Sequence, residues 1–161
     1  MPLQRINHAH LLVFCVLVAV LGCGGADNPD LGTVSGTVKM GNEPLKGAEV
    51  EFTPVEGGRP SVGTTNDDGY YELKYTHEAH GASIGKHKVR IRTAGTRVVE
   101  GVEVQLPERV PAKYNENTTL EEKVEAGENP INFDLEETGK IIQPEQDGQN
   151  SKNKETETNC F

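Results

Sequence analysis

The middle of this chain alternates apolar and polar residues with a period of two. Successive side chains of a strand point to opposite faces of a sheet, so this alternation predicts strands with one buried face and one hydrated face. A helix would instead need apolar residues three and four positions apart. Turn residues bound each stretch, and short strands at about ten-residue spacing are typical of a sandwich. We therefore predict an all-β fold, a single antiparallel β-sandwich of about seven strands. The clearest alternating stretches are 33–38, 48–54, 71–75, 88–92 and 131–135.

The first 22 residues have the features of an export signal. Arg5 precedes an uninterrupted apolar run over 11–21. A helix of that length reaches about 16 Å, roughly half of a bilayer's hydrocarbon core, so we do not expect it to span a membrane. A basic start, a short apolar run and small residues at its end are typical of a signal peptide. We predict that residues 1–22 are a lipoprotein signal peptide.

The sequence Val20-Leu21-Gly22-Cys23 resembles the lipobox of bacterial lipoproteins. The resemblance implies cleavage before Cys23 and lipidation of this cysteine. Acyl chains contribute about 0.8 kcal/mol per buried methylene, so several of them hold a protein at a membrane without a spanning helix. We therefore expect a membrane partner through the lipid anchor. The expected localisation is the cell envelope, at the outer membrane or its periplasmic face.

Composition divides the remaining chain into three parts. Residues 23–32 are rich in Gly, Pro and Asp and predict a tether. The alternating part, 33–137, is the predicted sandwich. Residues 138–161 contain too few apolar side chains to offset the entropy of ordering, so we predict a disordered polar tail. Within the sandwich, 102–106 predicts an edge strand that Pro107 ends, followed by a long loop.

Charge and cysteine content limit the partners and the cross-links. The net charge is −9, and an acidic chain without a basic patch repels phosphate backbones, so we expect no nucleic-acid partner. Cys15 would leave with the signal peptide and Cys23 would carry lipid. Cys160 then remains alone, and no internal disulfide is expected.

Four segments follow one another along the chain in the order of one known family. They are VSGTV (34–38), PLKGAEV (44–50), TNDDGYY (65–71) and IGKHKV (84–89). Over about 33–136 the chain resembles the carboxypeptidase regulatory-like, or transthyretin-like, β-sandwich domain, and the later part of that range is similar to small lipoproteins of planctomycetes. The resemblance implies a transthyretin (prealbumin)-like Greek-key sandwich. It implies little about function, because such a sandwich serves as a spacer, a binding module or an accessory to enzymes.

The sequence Asn66-Asp67-Asp68-Gly69 predicts a structural turn. Asn and Asp side chains bond local backbone amides, and Gly supplies a positive φ. The two aspartates also raise the hypothesis of a Ca²⁺ site, but such a site needs six to eight oxygens and this loop offers few. We interpret these residues as a turn.

Three histidines, His77, His80 and His87, lie within one short segment. A zinc-protease motif needs two histidines four apart on a helix, whereas His77 and His80 are three apart and Gly81 follows. Two interpretations remain open. The imidazoles bind Zn²⁺, Ni²⁺ or Cu²⁺ at a surface site, or they are solvated side chains of a hairpin loop.

The tyrosines raise a third hypothesis, a carbohydrate site, because sugar faces stack on exposed aromatic rings. Alternation places Tyr71 and Tyr75 in the core and leaves Tyr70 and Tyr114 as candidate ligand contacts. The chain has no tryptophan, which argues against a strong stacking platform.

The expected function is that of a non-catalytic, membrane-anchored envelope lipoprotein acting as an interaction or structural module. Its expected partner is an envelope protein or a glycan. The alternatives are a histidine-based periplasmic metal-binding protein and a carbohydrate-binding module. We expect neither enzymatic activity nor a cofactor, because no nucleophile is paired with a base in the sequence. The 5-hydroxyisourate hydrolases that share the transthyretin-like fold end in Tyr-Arg-Gly-Ser, whereas this chain ends in Thr158-Asn159-Cys160-Phe161.

Overall fold

A computed structural model describes residues 29–144. The predicted signal peptide, Cys23, most of the tether and Cys160 lie outside this range. The described residues form an all-β sandwich, which confirms the predicted fold class. No helix within 29–144 combines the length and the apolar character needed to cross a membrane. The strands are β1 (Leu31–Met40), β2 (Glu43–Pro44), β3 (Glu49–Pro54), β4 (Ser61–Thr64), β5 (Tyr70–Glu72), β6 (Ala82–Ser83), β7 (Gly85–Arg92), β8 (Gly95–Val99), β9 (Val102–Leu106), β10 (Glu121–Val124), β11 (Gly127–Pro130) and β12 (Phe133–Leu135), and a 3-10 turn covers Ala112–Tyr114.

The first sheet is organised around β1, the longest strand. Strands β2, β5 and β6 pair with it in antiparallel register, whereas β11 and β12 pair with it in parallel register. Between β11 and β12 the ladder is interrupted, and the Thr37 backbone amide donates to the Asn132 side-chain oxygen at 2.8 Å. Gly36 lets the chain pass closely here, because a Cβ at this position would overlap the Ile131 carbonyl. The parallel register is a feature that alternation alone does not predict.

The second sheet has the order β10-β7-β3-β4, with every neighbour antiparallel. Its outer face carries charges at alternate positions, and these charges pair across β3 and β7. Arg90 donates to Glu51 at 2.9 Å and Arg92 donates to Glu49 at 2.8 Å. The two sheets enclose the core, where Phe52 of one sheet meets Phe133 of the other edge to face, with ring centroids 6.3 Å apart. The largest core side chains are Tyr71, Phe52, Leu73, Ile91, Val34, Val38, Val50 and Val89.

Alternation predicts that Tyr71 and Tyr75 are both in the core, and the structure buries Tyr71 fully but Tyr75 only in part. Tyr71 is buried, and its hydroxyl donates to the Ile131 carbonyl at 2.9 Å. Burial, with the Glu122 charge nearby, raises the pKa of Tyr71. Tyr75 is only partly buried, because regular pairing ends near Lys74 and the chain turns away into the loop that contains the histidines.

The region predicted as an edge strand and loop forms a separate hairpin. Strands β8 and β9 pair with each other through five residue pairs, from Gly95–Leu106 to Val99–Val102. Within 29–144 they belong to neither main sheet. The turn at the tip contains Glu100, whose φ is +51°, and Gly101. We call β8, β9 and this turn the hairpin.

The first residues of the predicted tail, 138–144, are hydrogen-bonded to the domain. The Ala112 amide donates to the Lys140 carbonyl at 2.8 Å. Gln143 binds the Glu108 backbone twice: its side-chain oxygen accepts from the Glu108 amide and its side-chain nitrogen donates to the Glu108 carbonyl, both at 2.9 Å. These bonds pair backbone groups of Glu108 and Ala112 with residues of the tail, and amino-acid composition does not predict such pairing. Residues 145–161 lie outside the described range.

The start of β1 and the hairpin lie at opposite ends of the sandwich. The Ile84 amide donates to the Asp30 carbonyl at 3.0 Å, so β7 begins beside the first described residues. From there β7 runs eight residues to Arg92, a distance of about 27 Å, and the hairpin follows at once. We call the end at 29–32 the N-terminal pole and the end at 95–106 the hairpin pole.

Candidate functional site

Four of the nine large apolar residues that are exposed within 29–144 lie on the hairpin. Val98 is 64% exposed and Val102 is 63% exposed. Directly opposed residues of an antiparallel pair share a face. Val99 opposes Val102, Val104 opposes Arg97 and Leu106 opposes Gly95, so three of the six residues on one face of the hairpin are valines. Apolar side chains concentrated on a strand pair with no sheet beneath it are typical of an interaction site.

The other face of the hairpin is more polar. Val98 opposes Glu103 and Thr96 opposes Gln105, and the Thr96 hydroxyl donates to the Gln105 oxygen at 3.2 Å. Because β8 and β9 pair only with each other among the described residues, each also has an outer edge of backbone donors and acceptors. Such an edge is the structure to which an added strand pairs.

Glu108 fixes the base of the hairpin. One of its carboxylate oxygens accepts from the Thr93 amide at 2.9 Å and from the Thr93 hydroxyl at 3.0 Å. The same oxygen accepts from the amides of Arg109 and Val110, both at 2.9 Å. Glu108 is buried, and these charge-assisted bonds join the two chain segments from which the hairpin emerges. Together with Gln143 they give the hairpin a fixed orientation on the sandwich.

A second candidate site lies on the outer face of the first sheet. There the central strand β1 carries the small side chains Thr33 and Ser35, whereas β5 on one side carries Tyr70 and Glu72. Residues 128–130 of β11 border the other side. The result is a groove of about 310 Å³. We call it the Tyr70 trough.

A further groove, of about 390 Å³, lies on the opposite side of Tyr70 and Glu72. Val62, Thr64 and Lys74 contribute to its lining. The Tyr70 ring, 44% exposed, therefore stands between two grooves. No hydrogen-bond partner of its hydroxyl is found within residues 29–144.

The structure places 66–69 in a turn that positions Tyr70. The Asn66 side-chain oxygen accepts from the Asp68 amide at 3.0 Å and from the Tyr70 amide at 2.9 Å. Gly69 has a φ of +74°, which only Gly adopts without strain. Asp67 is exposed and pairs with Lys46 at 2.7 Å. These bonds account for the turn residues without a cation.

The structure separates the three histidines. His77 and His80 are exposed in the loop before β6, whereas His87 is buried within β7. His80 contacts the Glu72 carboxylate through its Nδ1 atom at 2.8 Å. Within 29–144, no group of three or more His, Cys, Asp or Glu side chains is arranged to hold a metal ion.

The expectation that His87 is a solvated loop residue is wrong. Its ring packs 5.8 Å from the Phe52 ring, its Nε2 lies 3.2 Å from the Ser83 hydroxyl, and Glu122 is its register partner on β10. Burial lowers the pKa of His87, so the ring is neutral near pH 7. The sequence contained a signal for this position, because His87 has the same parity as the buried residues Val89 and Ile91.

Tyr114 has a structural environment and lines neither groove beside Tyr70. It packs against the core, and its hydroxyl accepts from the Glu136 amide at 3.0 Å. Lys113 places its ammonium 5.1 Å from the centre of the ring. The ring and the hydroxyl of Tyr114 are therefore already in contact with the protein. Of the two candidate tyrosines, only Tyr70 faces open grooves.

Fold and sites together define an all-β sandwich domain with a projecting hairpin and a polar trough on one sheet. Neither models of known protein families nor curated protein sequences give a match to this chain. Among solved structures, a 9R-lipoxygenase from Cyanothece PCC8801 is similar at a TM-score of 0.32 and 16% identity. The similarity covers 79% of this chain and 19% of the lipoxygenase. A similarity this low supports no inference about fold or activity.

Proposed function

We propose that this protein is a non-catalytic interaction module, tethered to the bacterial envelope by lipid at Cys23, that binds a protein partner through the hairpin. The observation that supports it most is the hairpin itself, a strand pair with a valine-rich face and two edges to which no strand among residues 29–144 pairs. Burying those side chains stabilises a complex by about 25 cal/mol per Å² of apolar surface.

The partner that fits is an extended segment that adds a strand to an outer edge of the hairpin. Main-chain hydrogen bonds to the edge give affinity, and the side chains that alternate toward Val99 and Val104 give selectivity. The segment needs apolar residues at alternate positions to cover that face. A base fixed by Glu108 favours binding, because the hairpin loses little freedom when a partner docks.

The relation of the two poles also supports the proposal. The lipid site precedes the N-terminal pole by only a few residues, and the hairpin lies at the opposite end of β7. A protein held at its N-terminal pole would present the hairpin about 27 Å further from the bilayer. This arrangement suits contact with a partner that does not itself lie in the membrane.

Site-specific photo-crosslinking in the envelope tests the hairpin. A photoreactive residue is placed at Val98 or Val102 in the full chain, and at Val55 as the matched control. Val55 is 58% exposed but lies outside the hairpin. We expect a discrete protein adduct from both hairpin positions and none from Val55. The double variant Val99→Ser, Val104→Ser, carrying the photoreactive residue at Val98, should lose the adduct while its circular dichroism is unchanged. Equal adducts from Val55, or none from the hairpin, would contradict the proposal.

Lipidation is tested separately. Mass spectrometry of the mature protein should find acyl chains on Cys23, and Cys23→Ala should move the protein from the membrane fraction to the soluble fraction. An unmodified Cys23 in the mature protein would refute the proposed lipid anchor. The hairpin proposal would then still be decided by the crosslinking result.

A further inference from the structure

The Tyr70 trough has surface chemistry that the hairpin proposal does not use. Its floor is formed by the small hydroxyl side chains of Thr33 and Ser35, and one wall is formed by an exposed aromatic ring. The opposite wall is Pro130 with the neighbouring Glu128 and Asn129. A floor of small side chains between taller walls leaves room for a flat ligand over the sheet.

The backbone that carries the Tyr70 ring is held in place. The Tyr70 amide donates to the Asn66 side chain at 2.9 Å, and β5 pairs with β1 at this position through Thr37. Because this backbone is already ordered, it loses little conformational entropy when a ligand stacks on the ring. The Tyr70 hydroxyl, with no partner among the described residues, is available for a further hydrogen bond.

The charges of the trough restrict the class of ligand. Glu72 and Glu128 place carboxylates on both sides of β1. Carboxylate oxygens are strong acceptors for hydroxyl donors, and they repel phosphates, sulfates and uronates. His80 contacts Glu72 through one nitrogen at 2.8 Å, which fixes that carboxylate in position. The trough itself therefore favours a ligand rich in hydroxyl groups and without negative charge, while Lys74 adds one positive charge to the groove on the other side of Tyr70.

We propose that the Tyr70 trough binds a neutral saccharide, with one sugar ring stacked on Tyr70 and its hydroxyl groups bonded to Glu72 and Glu128. The grooves on both sides of Tyr70, about 310 Å³ and 390 Å³, each accommodate a unit of sugar size, so the ligand is an oligosaccharide that crosses the strands. This site is independent of the hairpin and of lipidation.

Titration of the full chain with maltohexaose, cellohexaose and chitohexaose tests the inference, and a galacturonate hexamer serves as the anionic comparison. Binding is followed by calorimetry and by amide chemical shifts. At least one neutral hexasaccharide should saturate the protein at millimolar concentration or below, which corresponds to about −4 kcal/mol or better. The amide shifts should be confined to 33–37, 62–74 and 128–130.

Variants separate stacking from a structural effect. Tyr70→Ala should weaken binding by about tenfold or more, whereas Tyr70→Phe keeps the ring and should stay within about threefold of the wild type. Val98→Ala, on the hairpin, should leave saccharide binding unchanged. The inference is overturned if none of the three neutral hexasaccharides saturates by about 10 mM, if Tyr70→Ala binds as well as the wild type, or if the galacturonate hexamer binds most tightly.

Discussion

Glu108 offers the sharpest test of how the hairpin is held to the sandwich. In Glu108→Ala, the amides of Thr93 and Val110 lose their acceptor together, whereas the Arg109 amide keeps the Thr93 hydroxyl oxygen, to which it donates at 2.8 Å. An unsatisfied buried amide costs about 1–3 kcal/mol, and water entering the vacated space recovers part of that cost. We expect the free energy of unfolding to fall by about 2–4 kcal/mol.

A loss of that size is a large part of the stability of a small domain, which is about 5–15 kcal/mol in total. Glu108→Gln retains one acceptor oxygen and loses the charge. Charge-assisted bonds are roughly twice as strong as neutral ones, so this variant should lose about 1–2 kcal/mol. Glu103→Ala removes an exposed carboxylate from the same hairpin and should change stability by less than about 0.5 kcal/mol.

Urea unfolding gives the comparison, followed by circular dichroism and by tyrosine fluorescence because the chain contains no tryptophan. The midpoint and slope of each transition give the free energy of unfolding. The reasoning is refuted if Glu108→Ala stays within about 1 kcal/mol of the wild type, because the two buried amides would then have found other acceptors.

Three further changes test other parts of the sandwich. Gly36→Ala should cost about 3 kcal/mol or more in urea unfolding, because the new Cβ overlaps the Ile131 carbonyl, whereas Gly95→Ala, which faces open space, should be nearly neutral. Burial lowers the pKa of His87 in the folded protein, so on acidification the unfolded chain takes up this proton first. The free energy of unfolding should therefore fall as the pH drops below about 6.5, by at most about 1.4 kcal/mol per pH unit. His87→Gln should remove that component from the pH profile, and an unchanged profile would contradict the assignment. Gln143→Ala should speed hydrogen exchange of the amides of residues 108 and 112 and have little effect on the amides that pair β3 with β7. If these two amides are equally protected in the variant and the wild type, the Gln143 contact is not needed to hold the chain around Glu108.

Residue alternation predicted much of the sandwich because it reports directly which side chains face the core. Val34 and Val38 of β1, and Val89 and Ile91 of β7, are buried as their parity requires. The same rule predicts that His87 is buried, because it lies two and four positions before Val89 and Ile91, although histidine is more often found at the surface. At that position the strand's parity outweighs the average preference of histidine for water.

Other features were not predictable because no local pattern encodes them. The parallel pairing of β1 with β12 joins residues about ninety positions apart, and alternation looks the same in either direction. The segment around Glu108 has no period, since Pro107 and Pro111 interrupt it, and its order comes from a buried carboxylate. The Tyr70 trough depends on small side chains of β1 lying between two strands that are distant in sequence.

The parallel register of β1 and β12 also determines how the domain would respond to tension. The chain enters β1 at the N-terminal pole and leaves beyond β12 toward the hairpin pole, where Gln143 is fixed. When the two ends are drawn apart, β1 and β12 are pulled in opposite directions along their own axes. The hydrogen bonds between them are then strained together instead of opening one after another. The strand that organises the core is thus also the one that resists a force pulling the two ends of the domain apart.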